Sequence, residues 1–359
     1  MKTSSKQGFF SMTSKNISTD STVTVIVPSY NEEQHLERTI ESIKTQTYPV
    51  DEIIVIDDCS TDNTEKIAAK MGVKVIRPPQ NTGSKAKAQN FALSYVNTNL
   101  IVALDADTAI QDNAIEEMVK AMDNRDVSAV CSFVLPGVVK TIWERGRFIE
   151  YMFAFTFYKE IQEWYGKPLI CSGCFSMYRT DKLKAFGGWP TRTLAEDMDL
   201  TWTYYSKGEH VTFMNEAYCY PIEPHDYNFL HKQLKRWSHG FIQNVIVHWN
   251  DWLHIPVLRE EVLVGLTDAT LTGVLYLLFP VLFLIKGAPL LIAYLYLSDW
   301  AFVAVPVLWK GYKLKLLRKC LSSLPFYFIL RIVNSLHFFE ALISELIFNK
   351  SLKTYEKGH

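Results

Sequence analysis

The sequence lacks the features that would assign it at once to several common classes of protein. It has no excess of one charge, since 37 Lys and Arg residues stand against 38 Asp and Glu residues, and the formal net charge is −1. Such a chain has no general attraction for a polyanion, so no nucleic-acid partner is expected. Charged residues make up 21% and hydrophobic residues 48%, which excludes an intrinsically disordered chain.

Cysteines are also few. There are six in 359 residues, without regular spacing, which excludes a small secreted domain held together by disulfides. Cys171 and Cys174 form a CxxC pair, but a zinc ribbon needs a second pair of this kind and the sequence has none. We therefore expect buried structural thiols near a binding site, in preference to a metal or redox centre.

A signal peptide and the common phosphate-binding loops are missing as well. Residues 1–20 are polar and contain no apolar core of signal-peptide length, which predicts a flexible tail and a following domain that stays in the cytosol. Neither GxxxxGKS, GxxxxGKT nor GxGxxG occurs. Gly83 and Lys85 stand just before or at the start of a predicted helix. There the glycine would allow a phosphate to approach the backbone and the lysine would neutralise its charge. A glycine and a lysine before a helix are, however, common in other proteins.

In the first part of the chain, predicted strands alternate with predicted helices. Short apolar runs typical of buried strands occur at residues 23–27, 53–56, 73–76 and 100–104, with predicted helices between them. This order predicts an α/β domain with a mostly parallel sheet covered on both faces. After residue 134 the alternation stops, and helices are predicted at residues 138–165, 196–207 and 228–250.

The last part of the chain is apolar. Residues 262–285 and 287–309 carry one charged residue each, and both are long enough to cross a hydrocarbon core of about 30 Å as a helical hairpin. Residues 324–347 are apolar but contain charged side chains, which leaves either a third span that faces protein or a helix in the membrane plane. Basic residues between 310 and 319 favour a cytosolic position for that loop.

These patterns divide the chain into four parts. We expect a tail at residues 1–20, an α/β domain with interfacial helices at 21–250, a membrane region at 251–348 and a second tail at 349–359. The expected location is an integral membrane protein whose α/β domain lies in the cytosol.

Acidic pairs follow two of the predicted strands. Asp58 follows the second strand, and Asp105 and Asp107 follow the fourth. Ligands of open α/β sheets bind at the carboxyl ends of the strands, so both groups are expected in one crevice. An Asp-x-Asp pair there can hold Mg²⁺ or Mn²⁺ together with phosphate oxygens. Helix N-capping explains either group alone equally well.

Two later clusters suit acid–base chemistry and anion binding. Glu196 and Asp197 open a predicted helix, where one of them can accept a proton from a hydroxyl, although charge at a helix N-terminus is the simpler explanation alone. Gln233, Arg236 and Trp237 share one helix face. Arginine can bind phosphate oxygens, and tryptophan can stack on sugars or bases. The alternative explanation of this pattern is an Arg–Trp pair that lies at a membrane surface.

In this order the motifs resemble those of the membrane-bound family 2 glycosyltransferases, whose GT-A fold is a Rossmann-like α/β domain. The resemblance covers about residues 23–237. It consists of Pro28-Ser-Tyr30-Asn-Glu32, Ile56-Asp-Asp58, Asn81-Thr-Gly-Ser-Lys85, Leu104-Asp-Ala-Asp107, Cys171-Ser-Gly173, Ala195-Glu-Asp197 and Gln233-x-x-Arg236-Trp237. The last motif is typical of the polysaccharide-synthase branch, and the Cys171 stretch is most similar to hyaluronan and chitooligosaccharide synthases.

The resemblance implies roles for these residues. The nucleoside pocket would contain Pro28, Tyr30, Glu32 and Asp58, with Lys85 nearby. Asp105 would approach the ribose and diphosphate, and Asp107 would bind Mn²⁺ or Mg²⁺. Cys171, Gly173 and Gln233 would contact substrate. Asp197 would be the general base, with Glu196 as the next candidate, while Arg236 would stabilise the departing diphosphate and Trp237 would stack on the acceptor sugar.

The resemblance implies a metal-dependent, inverting enzyme that uses a nucleotide-sugar, by analogy a UDP-sugar, to extend a β-linked polysaccharide. The alternative is transfer of one sugar to a lipid or polyprenyl-phosphate acceptor. The helices that chain-secreting relatives carry before the catalytic domain have no counterpart here, which favours the alternative, whereas the Cys171-Ser-Gly173 motif favours the polysaccharide. Ala195 also occupies a position where the family usually has threonine, so a hydroxyl that would support the base is absent. A third hypothesis, an inactive membrane scaffold, is opposed by the intact Asp107, Asp197 and Arg236.

The expected partners follow from this reading. They are a nucleotide-sugar donor, a saccharide or lipid-linked acceptor and the lipid bilayer, and a homo-oligomer is left open.

Overall fold

A computed structural model describes residues 21–164 and 168–353 of the chain. The predicted tail at residues 1–20 and the end of the second tail, residues 354–359, lie outside the described residues. The described part contains one eight-stranded sheet, against which helices pack, and a C-terminal group of long apolar helices.

The sheet has the strand order β3-β2-β1-β4-β7-β6-β8-β5. The strands are β1 (Val23–Ser29), β2 (Glu52–Asp57), β3 (Lys74–Ile76), β4 (Leu100–Leu104), β5 (Ala109–Ile110), β6 (Val127–Val134), β7 (Phe175–Arg179) and β8 (His210–Tyr220). Strands β1 to β4 are mutually parallel, and β6 is parallel to β8. β7 runs antiparallel between β4 and β6, and β5 runs antiparallel to β8. The predicted mostly parallel α/β sheet is confirmed.

The first helices cover the sheet and connect its parallel strands. They are α1 (Leu36–Lys44), α2 (Thr64–Lys70), α3 (Lys85–Leu93) and α4 (Ala114–Met122). Leu36, Ile40 and Ile43 are buried on one face of α1, as their spacing predicts. Because β1, β2 and β4 are neighbours in parallel register, the motifs that follow them lie at one edge of the sheet.

The middle of the chain supplies the helices around that edge. They are α5 (Ile142–Phe153), a π-helical turn (Ala154–Tyr158), α6 (Lys159–Trp164), α7 (Thr180–Ala185), α8 (Glu196–Ser206), α9 (Tyr227–Val247) and α10 (Trp249–His254). The predicted helix at residues 138–165 is thus α5 and α6 joined by the π-helical turn. Thr141 and Glu144 form a capping box at the start of α5, and Asp226 caps α9.

The C-terminal helices are α11 (Pro256–Gly273), a second π-helical turn (Val274–Leu278), α12 (Phe279–Ile285), α13 (Leu290–Lys313) and α14 (Leu317–Leu346). By length and composition, three helical segments can cross a membrane: Leu258–Ile285, Leu290–Lys313 and Leu317–Leu346. α14 packs against both α5 and α9. It approaches α5 closely because Gly146 has no side chain, and a Cβ there would lie 3.1 Å from Leu330 Cβ. The opposite face of α14 exposes Leu321, Leu336 and Ile343.

Candidate active site

A cavity of about 870 Å³ lies at the edge of the sheet where β1, β2 and β4 end. The N-terminus of α8 and one face of α9 form its walls, and α11 and α14 extend it towards the apolar helices. Of the residues that the resemblance singles out, those lining it are Pro28, Tyr30, Glu32, Asp58, Lys85, Asp105, Asp107, Gly173, Glu196, Asp197, Gln233, Arg236 and Trp237. The fold therefore brings residues from seven separate motifs into one space.

At one end of the cavity, Asp58 organises the loop that precedes α3. Its carboxylate accepts hydrogen bonds from the Thr82 N–H at 2.8 Å and the Thr82 hydroxyl at 2.9 Å, and its carbonyl accepts one from Asn81 Nδ2 at 2.7 Å. Glu32 is buried beside this wall, whereas Tyr30 is exposed at the rim. The wall is thus fixed by Asp58, and the exposed ring of Tyr30 lies at the entrance of the cavity.

Lys85, the first residue of α3, links three parts of the site. Its amine forms an ion pair with Asp105, donates a hydrogen bond to the Gly173 carbonyl at 2.8 Å and lies 3.9 Å from Glu196. The structure therefore places Lys85 between the Asp-x-Asp turn and α8. A cation in this position neutralises a ligand that carries several negative charges.

The Asp-x-Asp turn fits a divalent cation that shares its ligands with a diphosphate. Asp105 and Asp107 both line the cavity, and Asp107 Oδ1 accepts a hydrogen bond from the Thr108 hydroxyl at 3.1 Å. Within residues 21–164 and 168–353, no group of three or more His, Cys, Asp or Glu side chains forms a complete metal site. Mg²⁺ and Mn²⁺ are commonly held by one or two carboxylates, with substrate phosphates and water as the other ligands.

Asp197 is held rigidly at the N-terminus of α8. Its Oδ2 accepts the Gly173 N–H at 2.8 Å, and its Oδ1 accepts the Met198 N–H at 2.8 Å. A Cβ at residue 173 would lie 3.2 Å from both Asp197 Oδ2 and Lys85 Nζ, so this approach needs glycine. Each carboxylate oxygen keeps a lone pair for a further donor, such as a hydroxyl that is losing its proton.

Glu196, the neighbouring carboxylate, is in a different environment. Burial raises the pKa of Glu196, and the charge of Lys85 opposes this shift, while Asp197 adds to it and Arg236 opposes it. A carboxyl with a raised pKa is a poorer candidate for a base that must stay ionised. Of the two candidates for the general base, Asp197 is favoured, because backbone hydrogen bonds hold its carboxylate at the cavity.

One face of α9 carries the remaining motif. Gln233 Oε1 is buried and accepts no hydrogen bond from the described residues, so it can receive one from a ligand. Arg236 lies close enough to Glu196 for its charge to oppose the burial that raises the pKa of Glu196. The indole of Trp237 is 37% exposed, and the guanidinium of Arg147 lies 4.5 Å from its ring centre. Trp237 therefore has a cation behind it and an accessible surface for a sugar ring.

Arg147 is a buried charged residue behind Trp237 that no sequence motif indicates. It is 1% exposed, its Nε donates to Glu223 at 3.0 Å, its Nη2 donates to the Tyr151 hydroxyl at 2.8 Å, and it also pairs with Glu150. Burial raises the pKa of Glu223, and Arg147 counteracts this shift. Glu150 and Tyr151 are neighbours of Arg147 on α5, but Glu223 and Trp237 come from a distant loop and from α9, so the sequence alone does not indicate this cluster.

Two residues near the end of α9 were missed for the same reason. Gln243 Oε1 accepts the Leu194 N–H at 3.0 Å, and Asn244 Nδ2 donates to the Ala195 carbonyl at 3.2 Å. A Cβ at Gly240 would lie 2.7 Å from Ala195 Cβ, so α9 packs directly on the turn before α8. Alanine at position 195 thus has little room for a larger side chain.

The structure corrects the expectation for Cys171. Its side chain is 1% exposed and does not line the cavity, and its N–H donates to the Thr201 hydroxyl at 2.8 Å. Its neighbours Ile170, Ser172, Gly173 and Cys174 line the cavity, whereas Cys171 belongs to the hydrophobic core.

At its other end the cavity is lined by polar side chains of apolar helices. Tyr158 donates to Asp268 at 3.1 Å, and Asn334 Nδ2 donates to Glu150 at 2.6 Å. Arg331 donates to the Thr272 hydroxyl at 3.3 Å. Ionisable side chains on helices that can cross a membrane are rare and commonly indicate a functional site. The cavity therefore joins the carboxylate edge of the sheet to the C-terminal helices.

Comparisons with known proteins agree with this geometry. The family model described as glycosyl transferase family 2 matches residues 24–187. A poly-beta-1,6-N-acetyl-D-glucosamine synthase of Staphylococcus epidermidis is 28% identical over 223 residues, which cover 61% of this chain and 54% of that protein. Probable glycosyltransferase YdaM of Bacillus subtilis is 30% identical over 230 residues, with the same two shares. The chain spans about half the length of these curated relatives.

A solved structure shares the fold of nearly the whole chain. It is the mannosyltransferase PcManGT of Pyrobaculum calidifontis, in complex with GDP-Man and Mn²⁺. The TM-score is 0.59 at 21% identity, and the match covers 91% of this chain and 88% of that chain. Residues 24–187 therefore match the family 2 glycosyltransferase domain, and the chain has the GT-A fold.

Proposed function

We propose that the protein is a membrane-bound, inverting glycosyltransferase that uses a nucleotide-sugar, specifically a UDP-sugar, to extend a β-linked polysaccharide. The observation that carries this proposal is the single cavity. It runs from the carboxylates after β4, past Asp197 and Trp237, to polar side chains of α11 and α14. A donor and an acceptor can therefore meet inside it.

The donor occupies the sheet edge in this proposal. Tyr30 and Glu32 contact the nucleoside, and Asp58 holds the loop that closes that pocket. Lys85 and Arg236 face the diphosphate, where two cations offset its charge and steady it as it departs. Asp105 and Asp107 hold Mn²⁺ or Mg²⁺, which when bound neutralises negative charge on the leaving diphosphate.

The acceptor reacts at Asp197. Asp197 takes the proton of the attacking hydroxyl while the hydroxyl oxygen bonds to the anomeric carbon, and the bond from that carbon to the diphosphate oxygen breaks. The nucleoside diphosphate leaves with the bonding electron pair. A single displacement of this kind inverts the configuration, so an α-linked donor gives a β-linked product.

The acceptor is a saccharide in this proposal. Trp237 offers an aromatic surface, and Gln233 has an unused acceptor oxygen beside it. Beyond them, Asp268, Thr272 and Asn334 offer hydrogen-bond partners for sugar hydroxyls. The name of the Staphylococcus relative makes N-acetylglucosamine the first sugar to test.

One observation favours the alternative, the transfer of a single sugar to a lipid-linked acceptor. The same cavity is also lined by Phe241, Val264 and Phe338, and it lies against helices long enough to cross a membrane. An apolar chain could therefore reach Asp197 from the bilayer.

A donor screen tests both proposals. The full chain, purified in detergent with Mn²⁺, is given labelled UDP-GlcNAc, UDP-Glc, UDP-GlcA or GDP-Man, together with a mixed pool of oligosaccharides and a lipid extract. Labelled products of many sugars support the polysaccharide synthase. A product with one sugar that partitions into organic solvent supports the alternative. The absence of both transfer and hydrolysis with every donor would contradict both.

We also propose that the catalytic domain lies in the cytosol. The basic loop that follows α13 lies on the same side of the apolar helices as this domain, as shown by the contact of Lys310 Nζ with Asn215 at 2.7 Å. A single cysteine tests this at Tyr312, which is 74% exposed, whereas a Cβ at Gly311 would lie 2.5 Å from Cys320 Sγ. Labelling of that cysteine by an impermeant reagent in intact cells would show the opposite orientation.

A further inference from the structure

A second, smaller cavity lies where α13 passes into α14. Its volume is about 340 Å³, and it is separate from the cavity described above. It is lined by Val139, Arg145, Lys315, Leu316, Arg318, Lys319 and Ser322. We call it the basic pocket. Four of its seven residues are cationic: Arg145 is on α5, Lys315 is in the loop between α13 and α14, and Arg318 and Lys319 are in the first turn of α14.

The cations of the basic pocket have no carboxylate partners. Within residues 21–164 and 168–353, no Asp or Glu pairs with Arg145, Lys315, Arg318 or Lys319. Two other basic residues nearby are engaged, since Lys310 pairs with Glu160 and Lys313 lies 3.6 Å from the ring centre of Trp309. Like charges gathered without counter-charges repel each other, so an anion bound among them would be stabilised.

Arg145 is held in place to take part in such a site. Its Nε donates to the Lys140 carbonyl at 3.2 Å, and its Nη1 donates to the Ser322 hydroxyl at 3.1 Å. These bonds leave further guanidinium donors for a ligand. α5 and α14 also begin at this pocket, and the N-termini of two helices add positive potential to that of the side chains.

The surroundings of the basic pocket are apolar and exposed. Ile142 is 41% exposed one turn before Arg145, and Leu321 is 52% exposed one turn after Arg318. Trp309 and Tyr312 are exposed at the end of α13, where aromatic side chains are typical of a membrane–water interface. A free phosphate would not bury the exposed leucine and isoleucine side chains, whereas the acyl chains of a phospholipid would cover them.

We propose that the basic pocket binds the phosphate headgroup of an anionic phospholipid, whose chains lie against α14. The bound lipid joins the start of α5, which carries Arg147 and Tyr151, to the membrane helices. The site is independent of the sugar-transfer reaction, and its test does not require a known acceptor.

Lipid titration of the detergent-purified full chain tests this site. Fluorescently labelled phosphatidylglycerol and phosphatidylcholine are compared by anisotropy. The expected result is a preference for phosphatidylglycerol on the order of tenfold, because each Lys or Arg near an anionic headgroup adds attraction. The double variant Lys315→Gln/Arg318→Gln is expected to reduce that preference to about twofold or less, with phosphatidylcholine affinity unchanged.

Matched variants separate this site from general charge effects and from misfolding. Lys286→Gln/Lys350→Gln removes the same charge from exposed positions elsewhere and is expected to keep the preference. Arg318→Lys keeps the charge and is expected to bind within a few-fold of wild type. All variants are checked by circular dichroism and gel filtration.

Two results would overturn the proposal. One is an equal loss of preference in the pocket variant and in the Lys286→Gln/Lys350→Gln control. The other is displacement of phosphatidylglycerol by inorganic phosphate at low millimolar concentration, which would assign the pocket to a soluble anion.

Discussion

Arg147 places a buried positive charge directly behind the indole that faces the acceptor side of the cavity. Its guanidinium bonds Glu223 and Tyr151 and contacts the ring of Trp237. The planar fork of arginine can satisfy these partners together, whereas a lysine amine at the same site cannot. The orientation of Trp237 therefore depends on a residue that is itself buried beneath it.

This arrangement predicts that Arg147→Lys and Trp237→Ala have similar consequences. Both are expected to lower sugar transfer, by about tenfold for Arg147→Lys, because a misplaced acceptor reacts slowly. Donor affinity is expected to stay within a few-fold, since neither residue contacts the nucleotide. Calorimetry of donor binding and measurement of product formation check this, with the exposed Arg125→Lys as control. If Arg147→Lys transfers sugar at the wild-type rate, the orientation of Trp237 does not depend on Arg147.

At the scale of single residues, the sequence was informative where the chemistry is local. Asp107, Asp197 and Arg236 stand in short motifs with recognisable spacing, and all three line the cavity. Arg147 and Asn244 could not be found in this way, because Glu223, Trp237 and Ala195, which they contact, are distant along the chain and only packing brings them together. Cys171 was assigned to the substrate because its motif neighbours line the cavity, but its own side chain is buried.

At the scale of elements, the site depends on how α8 and α9 are joined. Besides the contacts of Gln243 and Asn244, His248 Nε2 lies 2.8 Å from Asp199 Oδ1, and Arg192 Nη2 donates to the same oxygen at 2.7 Å. Asp199 is fully buried on α8, two residues after Asp197. Burial would raise the pKa of Asp199, but the hydrogen bonds from His248 and Arg192 outweigh it and lower the pKa below its usual value.

The lowered pKa predicts a pH-dependent loss of stability in Asp199→Asn. A carboxylate whose pKa is lower in the folded state stabilises the fold above its unfolded pKa of about 3.9 and loses this effect as the pH falls through the folded value. At pH 7 the variant is expected to unfold more easily, by about 3 kcal/mol, because a buried pair is broken. This difference is expected to shrink below about pH 4.

Thermal unfolding of both proteins between pH 3 and pH 7 measures the effect, and Asp126→Asn, an exposed aspartate, is the control. A difference that is the same at every pH would assign the stabilisation to packing instead of charge.

The elements themselves differed in how well the sequence predicted them. β1, β2 and β4 are continuous buried runs with a helix after each, so their parallel pairing follows from general rules. β5, β6, β7 and β8 were not predicted as strands. β5 has only two residues, β7 is an antiparallel insertion between β4 and β6, and β8 pairs with β6 through an irregular register. α14 begins at Leu317, earlier than the predicted 324, because its first turns are the polar turns of the basic pocket.

At the scale of the whole molecule, one cavity joins the carboxylate edge of the sheet to the C-terminal helices. In the proposed function, Asp105 and Asp107 would hold the cation together with the donor diphosphate, since the described residues contain no group of three or more His, Cys, Asp or Glu side chains that could hold a metal ion. We therefore expect excess chelator to reduce transfer to less than a tenth, and Mn²⁺ or Mg²⁺ to restore it. Asp107→Asn is expected to raise the metal concentration needed for half-maximal transfer by about tenfold or more. Full transfer in excess chelator would contradict this assignment.

The central claim is that this cavity is the active site and that Asp197 is its general base. The most direct measurement compares donor binding and sugar transfer in Asp197→Asn and in Asp181→Asn, an exposed aspartate in the first turn of α7. The account predicts that Asp197→Asn binds donor within a few-fold of wild type but transfers sugar ~10²–10⁴ times more slowly, the usual effect of losing a positioned base, while Asp181→Asn behaves as wild type. Transfer by Asp197→Asn at the parental rate would contradict the claim and make Glu196 the next candidate.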